Sequence, residues 1–142
     1  MRSIRILVVE DFEKFRRLIC SALEQWAQFQ VSEVSDGLEA VRRAKELKPD
    51  LVILDIGLPN LNGIEVARHI LEFAPDARII FLSQETAPDV VREALSLGVS
   101  SYVHKSRLRT DLPVAIEAAL EDRQFVTSSL GVSPGAKAPA ID

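Results

Sequence analysis

Glu10, Asp11, Asp55, Ser83 and Lys105 can do chemistry together, because each follows an apolar run in this 142-residue chain. IRILVV (4–9) leads into Glu10-Asp11, LVIL (51–54) into Asp55, ARIIFL (77–82) into Ser83, and SYV (101–103) into His104-Lys105. Short apolar runs of this kind read as strands buried on both faces of a parallel sheet. In open α/β sheets, ligands collect just beyond the carboxyl ends of the strands. Three carboxylates, one hydroxyl and one ammonium group therefore converge on one edge. Crowded carboxylates repel each other unless a cation relieves them, and hard oxygens without His or Cys suit Mg²⁺, with Mn²⁺ as the alternative. A divalent ion plus a lysine beside a carboxylate is an arrangement for holding phosphoryl oxygens. Taken singly, Asp55 reads equally as a residue that solvates the turn formed by Gly57, Pro59, Asn60, Asn62 and Gly63.

The elements that must position these groups alternate along the chain. Between Glu13 and Gln28, Phe15, Leu18, Ile19, Ala22, Leu23 and Trp26 recur at helical spacing. A more polar strand at 30–34 fits the sheet edge. Asp36 with Glu39, and Asn62 with Glu65, are cap signals for two further helices, the first stopped by Pro49 and the second ending near Phe73. Pro88-Asp89 opens a helix that Gly98 terminates, and Thr110 is expected to cap the last one, with Pro113 in its first turn. Five strands and five helices in alternation imply a doubly wound parallel sheet with right-handed crossovers. From Gln124 onward the chain becomes rich in Ser, Gly, Pro and Ala. The expectation is a domain at 1–123 and a flexible tail or cut-short linker at 124–142.

Composition narrows the class. A net charge of −4 argues against a nucleic-acid footprint of its own, which needs a basic stripe. The absence of an apolar run of membrane-spanning length, with the lone Cys20, fits a single-domain globular protein of the cytoplasm with no membrane partner. His69 and His104 stand too far apart, without ligand spacing, to read as a metal pair.

The acidic pair Glu10-Asp11, the D-x-x-x-P-x-x-x-G run from Asp55 through Pro59 to Gly63, Ser83 after its strand, and Tyr102-Val103-His104-Lys105 resemble one family. It is the receiver domain of bacterial two-component response regulators, over roughly residues 3–122. The resemblance implies a flavodoxin-like five-stranded sheet in the order 2-1-3-4-5. It implies Asp55 as phosphoacceptor toward a sensor histidine kinase. Mg²⁺ would be held by Asp11, Asp55 and the backbone carbonyl of Gly57, with Glu10 acting mainly through water. Lys105 and Ser83 would meet phosphoryl oxygens, and Tyr102 would follow Ser83 inward. An added acyl phosphate brings negative charge and strong acceptors to one point. It would shift a two-state equilibrium of the face made by the fourth helix, fifth strand and fifth helix. The resemblance implies a switch that handles its own phosphoryl group, and not a turnover enzyme.

Departures from the family pattern bear on the lifetime of the acyl phosphate. Gln84 stands where a small residue is usual, Gly57 offers no side chain, and Ser106 replaces a frequent proline. Gln84 and Glu85 are therefore the expected modulators. The end of the fifth helix and DRQFVTSSLG look similar to regulators that continue into a LuxR-like helix-turn-helix. DNA would then be reached only through an output domain that this chain lacks, and a homodimer is a further expected assembly. Other readings are a phosphate-independent receiver-like interaction module and a phosphohydrolase of the haloacid-dehalogenase type. The second would need an acid at position 57, where glycine cannot donate a proton. A dinucleotide-binding module is disfavoured, because Glu10-Asp11-Phe12 is no glycine-rich turn.

Overall fold

The first strand, Ile4–Val9 (β1), has four consecutive fully buried residues because helices cover both of its faces. A computed structural model describes residues 3–84, 87–99 and 101–127. After β1 come α1 (Glu13–Leu23), β2 (Phe29–Val34), α2 (Gly37–Leu47), β3 (Leu51–Asp55), α3 (Gly63–Phe73) and β4 (Arg78–Ser83). The chain continues through α4 (Pro88–Ser96), β5 (Ser101–His104), a 3-10 turn (Lys105–Arg107), α5 (Leu108–Leu120) and β6 (Phe125–Val126). All strand pairs are parallel, in the order β2-β1-β3-β4-β5-β6.

Side chains alternate across each strand, and the alternation sorts the core into two layers. Leu7, Val9, Val52, Leu54, Ile79, Phe81 and Tyr102 pack toward α2, α3 and α4. Ile6, Val8, Leu51, Ile53, Ile80, Leu82 and Val103 pack toward α1 and α5. The cap signals at the starts of α2 and α3 hold, since Asp36 Oδ1 accepts from the Glu39 N–H at 2.8 Å and Asn62 Oδ1 from the Glu65 N–H at 3.1 Å.

Three expectations need correction. The first helix ends at Leu23, and Trp26 instead closes a turn onto Leu23 O and stacks on Phe29 at 5.0 Å. Thr110 does not cap the last helix. His104 Nδ1 accepts from the Ser106 N–H at 3.1 Å and starts the helical path early, so α5 begins at Leu108 and Pro113 lies inside it. The expected order 2-1-3-4-5 holds, but among the described residues a sixth strand lies beyond β5, so the tail expected from 124 does not begin there. Ser101 pairs with Phe125 and Tyr102 with Val126, and the Thr127 N–H donates to Tyr102 O at 3.0 Å. A two-residue strand has no periodicity to read, and its pairing comes from a sequence separation of 24 residues. The rest of that tail, 128–142, lies outside the described residues.

Candidate functional site

Parallel register brings the chemistry-bearing residues level. Val9 pairs with Leu54, which sets Glu10 beside Asp55 one step further on. Asp55 pairs with Leu82, so Ser83 follows, and Ser83 pairs with His104, so Lys105 follows. These residues line one cleft of about 780 Å³, together with Asp11, Phe12, Phe15, Gly57, Gln84, Val90 and Glu93 among others.

At its centre Lys105 Nζ lies 2.9 Å from Glu10 Oε1 and 3.2 Å from Asp55 Oδ2, all three side chains being almost fully buried. The other Asp55 oxygen accepts from the Gly57 N–H at 3.0 Å, and Glu10 Oε2 accepts from the Phe12 N–H at 3.0 Å. Lys105 Nζ is the charged partner of Glu10 Oε1 at 2.9 Å. The distance is short, yet the alignment of a hydrogen bond is not met, so that buried oxygen keeps a lone pair open. Burial, acting against the lysine and reinforced by the neighbouring Asp55 charge, raises the Glu10 carboxyl above its ordinary range.

Glu10, Asp11 and Asp55 each bring a carboxylate oxygen within 4.8 Å of the others, Asp11 being the solvent-facing member. An all-oxygen set with one open buried lone pair fits a hard divalent cation. Gly57 is exposed, and a side chain there would meet little besides Asp55 Oδ1 at 3.9 Å. Gly63 is different, because a Cβ would stand 2.2 Å from the backbone oxygen of Asp55. Only glycine lets the start of α3 press against the end of β3.

Ser83 and Tyr102 are both buried; Ser83 lines the cleft with Asp55 and Lys105, whereas Tyr102 lies in the core layer on the α2–α4 side, edge-on to Phe81 at 6.4 Å. Gln84 is exposed at the cleft rim, with its carbonyl 3.2 Å from His104 Nε2. Glu85 lies outside the described residues. Arg16 is used internally: its Nη1 donates to Glu10 O at 2.9 Å and its Nε pairs with Glu33.

Two groups escaped the sequence reading. Phe15 was read only as one position of an apolar stripe, yet its ring faces the Lys105 ammonium at 4.7 Å. Its signal was its place one turn after the acidic pair. Thr127 gave no signal at all, although it is fully buried, accepts from the His104 N–H at 3.0 Å and donates to Asp111 Oδ2 at 2.9 Å.

Comparison with known proteins gives the family and the fold. The family model described as the response regulator receiver domain matches residues 6–117. The chain is 34% identical over 117 residues to the transcriptional regulatory protein LiaR of Bacillus subtilis, covering 82% of this chain and 56% of that protein. It is 37% identical over 106 residues to protein-glutamate methylesterase/protein-glutamine glutaminase 3 of Geobacter sulfurreducens, covering 74% of this chain and 28% of that protein. The chain thus spans about half, or less, of the length of these curated relatives. Among solved structures, a LuxR-family two-component response regulator from Aurantimonas superposes with a TM-score of 0.84 at 32% identity, covering 91% of this chain and 93% of that one. With the family model spanning most of the folded unit, the chain belongs to the response regulator receiver domains of two-component systems.

Proposed function

We propose that this receiver domain accepts a phosphoryl group on Asp55 from a sensor histidine kinase and passes the change to its α4-β5-α5 surface. The observation that carries the reading is the buried Asp55 carboxylate, held at both oxygens by Lys105 and Gly57 with Asp11 and Glu10 alongside. An Asp55 oxygen attacks phosphorus, and the bond from phosphorus to the donor's imidazole nitrogen breaks with its electron pair staying on nitrogen. The Gly57 N–H fixes the carboxylate plane, so the attacking oxygen is preset. Lys105 sits where it can follow a phosphoryl oxygen once the Asp55 carboxylate has lost its charge. Ser83, at the next strand end, supplies a hydroxyl to a second oxygen.

Asp11, Asp55, the Gly57 carbonyl and, through water, Glu10 would hold Mg²⁺ or Mn²⁺. The ion would offset the negative charge of the incoming group and of the carboxylates. Gln84 at the rim, with Glu85 next in sequence, sets the access of water to the acyl phosphate. The family membership leaves no support for the dehalogenase-type alternative. The output is the regulation of transcription through a further domain or through partners of a lone receiver, with self-association on the α4-β5-α5 surface or along α1 and α5. The receiver unit extends at least to Thr127.

The test is acetyl phosphate with Mg²⁺ followed by intact mass. The expected outcome is a single phosphoryl adduct on the wild type and none on Asp55→Asn. An adduct that persists in Asp55→Asn places the acceptor elsewhere.

A further inference from the structure

We propose that Phe15 is a positioning residue for Lys105: its ring face holds the lysine ammonium in the cleft and so sets the rate at which Asp55 gains its phosphoryl group. The inference rests on the phosphoacceptor reading above and deepens it at the same site.

Lys105 Nζ stands 4.7 Å from the centroid of the Phe15 ring while also reaching Glu10 Oε1 and Asp55 Oδ2. A cation over an aromatic face is attracted by the ring quadrupole, most strongly where water is excluded. Here water is excluded, since the Lys105 side chain is 8% exposed. The ring borders both the acidic cleft and the groove on the far side of Lys105, and so forms the wall between them. Its place is fixed from two directions. Arg16, the next residue, ties α1 to the Glu10 carbonyl, and Phe12 packs on the ring at a centroid distance of 5.5 Å.

The contact has a property that the two carboxylates lack. A ring face uses no N–H donor, so the three donors of Lys105 stay available to oxygen. It also keeps the same charge before and after transfer, whereas Asp55 loses its negative charge when the acyl phosphate forms. Phe15 can therefore retain the ammonium while its N–H groups move from a carboxylate to a phosphoryl oxygen. Phe15 also packs against the α1/α5 layer of the core. Packing of that kind is indifferent to the electron density of the ring, which separates the two roles.

The experiment replaces Phe15 in the full chain with mono-, di- and trifluorinated phenylalanine, which keep the ring's shape while draining its face of charge. The maximal rate of phosphorylation by acetyl phosphate with Mg²⁺ should fall stepwise, by about tenfold for the trifluorinated ring. Half-saturation by acetyl phosphate should move much less. The Lys105 Cε protons should show a ring-current shift in the wild type that Phe15→Leu abolishes. A wild type that accepts phosphate but gives a flat fluorination series, or no ring-current shift, overturns the role of Phe15. A wild type that accepts nothing overturns the phosphoacceptor reading itself and, with it, this inference.

Discussion

Glu10 holds a carboxyl group in the buried floor of the cleft. It is fully buried, and only Lys105 and the Phe12 N–H offset its charge. Burial and then the Asp55 charge work against its ionised form, so its carboxyl titrates above the ordinary 4.5. The consequence for stability has a definite sign. Where the pH exceeds the unfolded value but not the folded one, the unfolded chain has released the proton and the folded chain has kept it. Stability therefore falls as pH rises through that window, and the loss is complete above the folded value. In protein free of divalent ions, Glu10→Gln should raise the urea midpoint at neutral pH. That gain should fade as the pH approaches 4.5. Paired urea melts across pH check it, and a gain that grows on acidification contradicts the assignment.

At the scale of elements, strand alternation divides the labour. Glu10, Asp55 and Lys105 continue the stripes that face α1 and α5, whereas Ser83 and Tyr102 continue those that face α3 and α4. Asp55 and Lys105 thus lie on one side of the sheet and Tyr102 on the other. Ser83 at the end of β4 is the place where the two sides meet. The sixth strand adds a second connection, because Thr127 bonds to the backbone of Tyr102 and His104 and to Asp111 of α5. Thr127→Val keeps the shape but leaves the half-buried His104 N–H without its Thr127 acceptor, and among the described residues Asp111 keeps Arg107 and Thr110. A loss of about 1–3 kcal/mol is expected, the ordinary cost of an unsatisfied buried polar group. Equilibrium urea unfolding measures it. An unchanged midpoint would show that residues 124–127 lie outside the cooperative unit.

For the molecule as a whole, a divalent ion at the cleft should act as a folding ligand, since the unfolded chain has no preformed set of carboxylates. Saturation at a hundredfold above the dissociation constant contributes about 2.7 kcal/mol, and the melting midpoint should rise by several degrees. Scanning calorimetry with and without Mg²⁺ tests this, and Asp11→Asn should remove most of the rise. A wild type whose midpoint ignores Mg²⁺ speaks against the site. No helix among the described residues is long and apolar enough to cross a membrane. The layered α/β fold, its parallel sheet and the residues that meet at its edge were all legible in the amino-acid sequence. Apolar runs, cap pairs and strand-ending charges are local, and the parallel sheet aligns them without further instruction. Long-range contacts were not legible. The β6 pairing, the Thr127 bonds to β5 and α5, and the Phe15 ring over Lys105 join residues 16 to 90 positions apart. A single sequence carries no period or turn signal that marks such a partner, so only the packed tertiary structure could choose them.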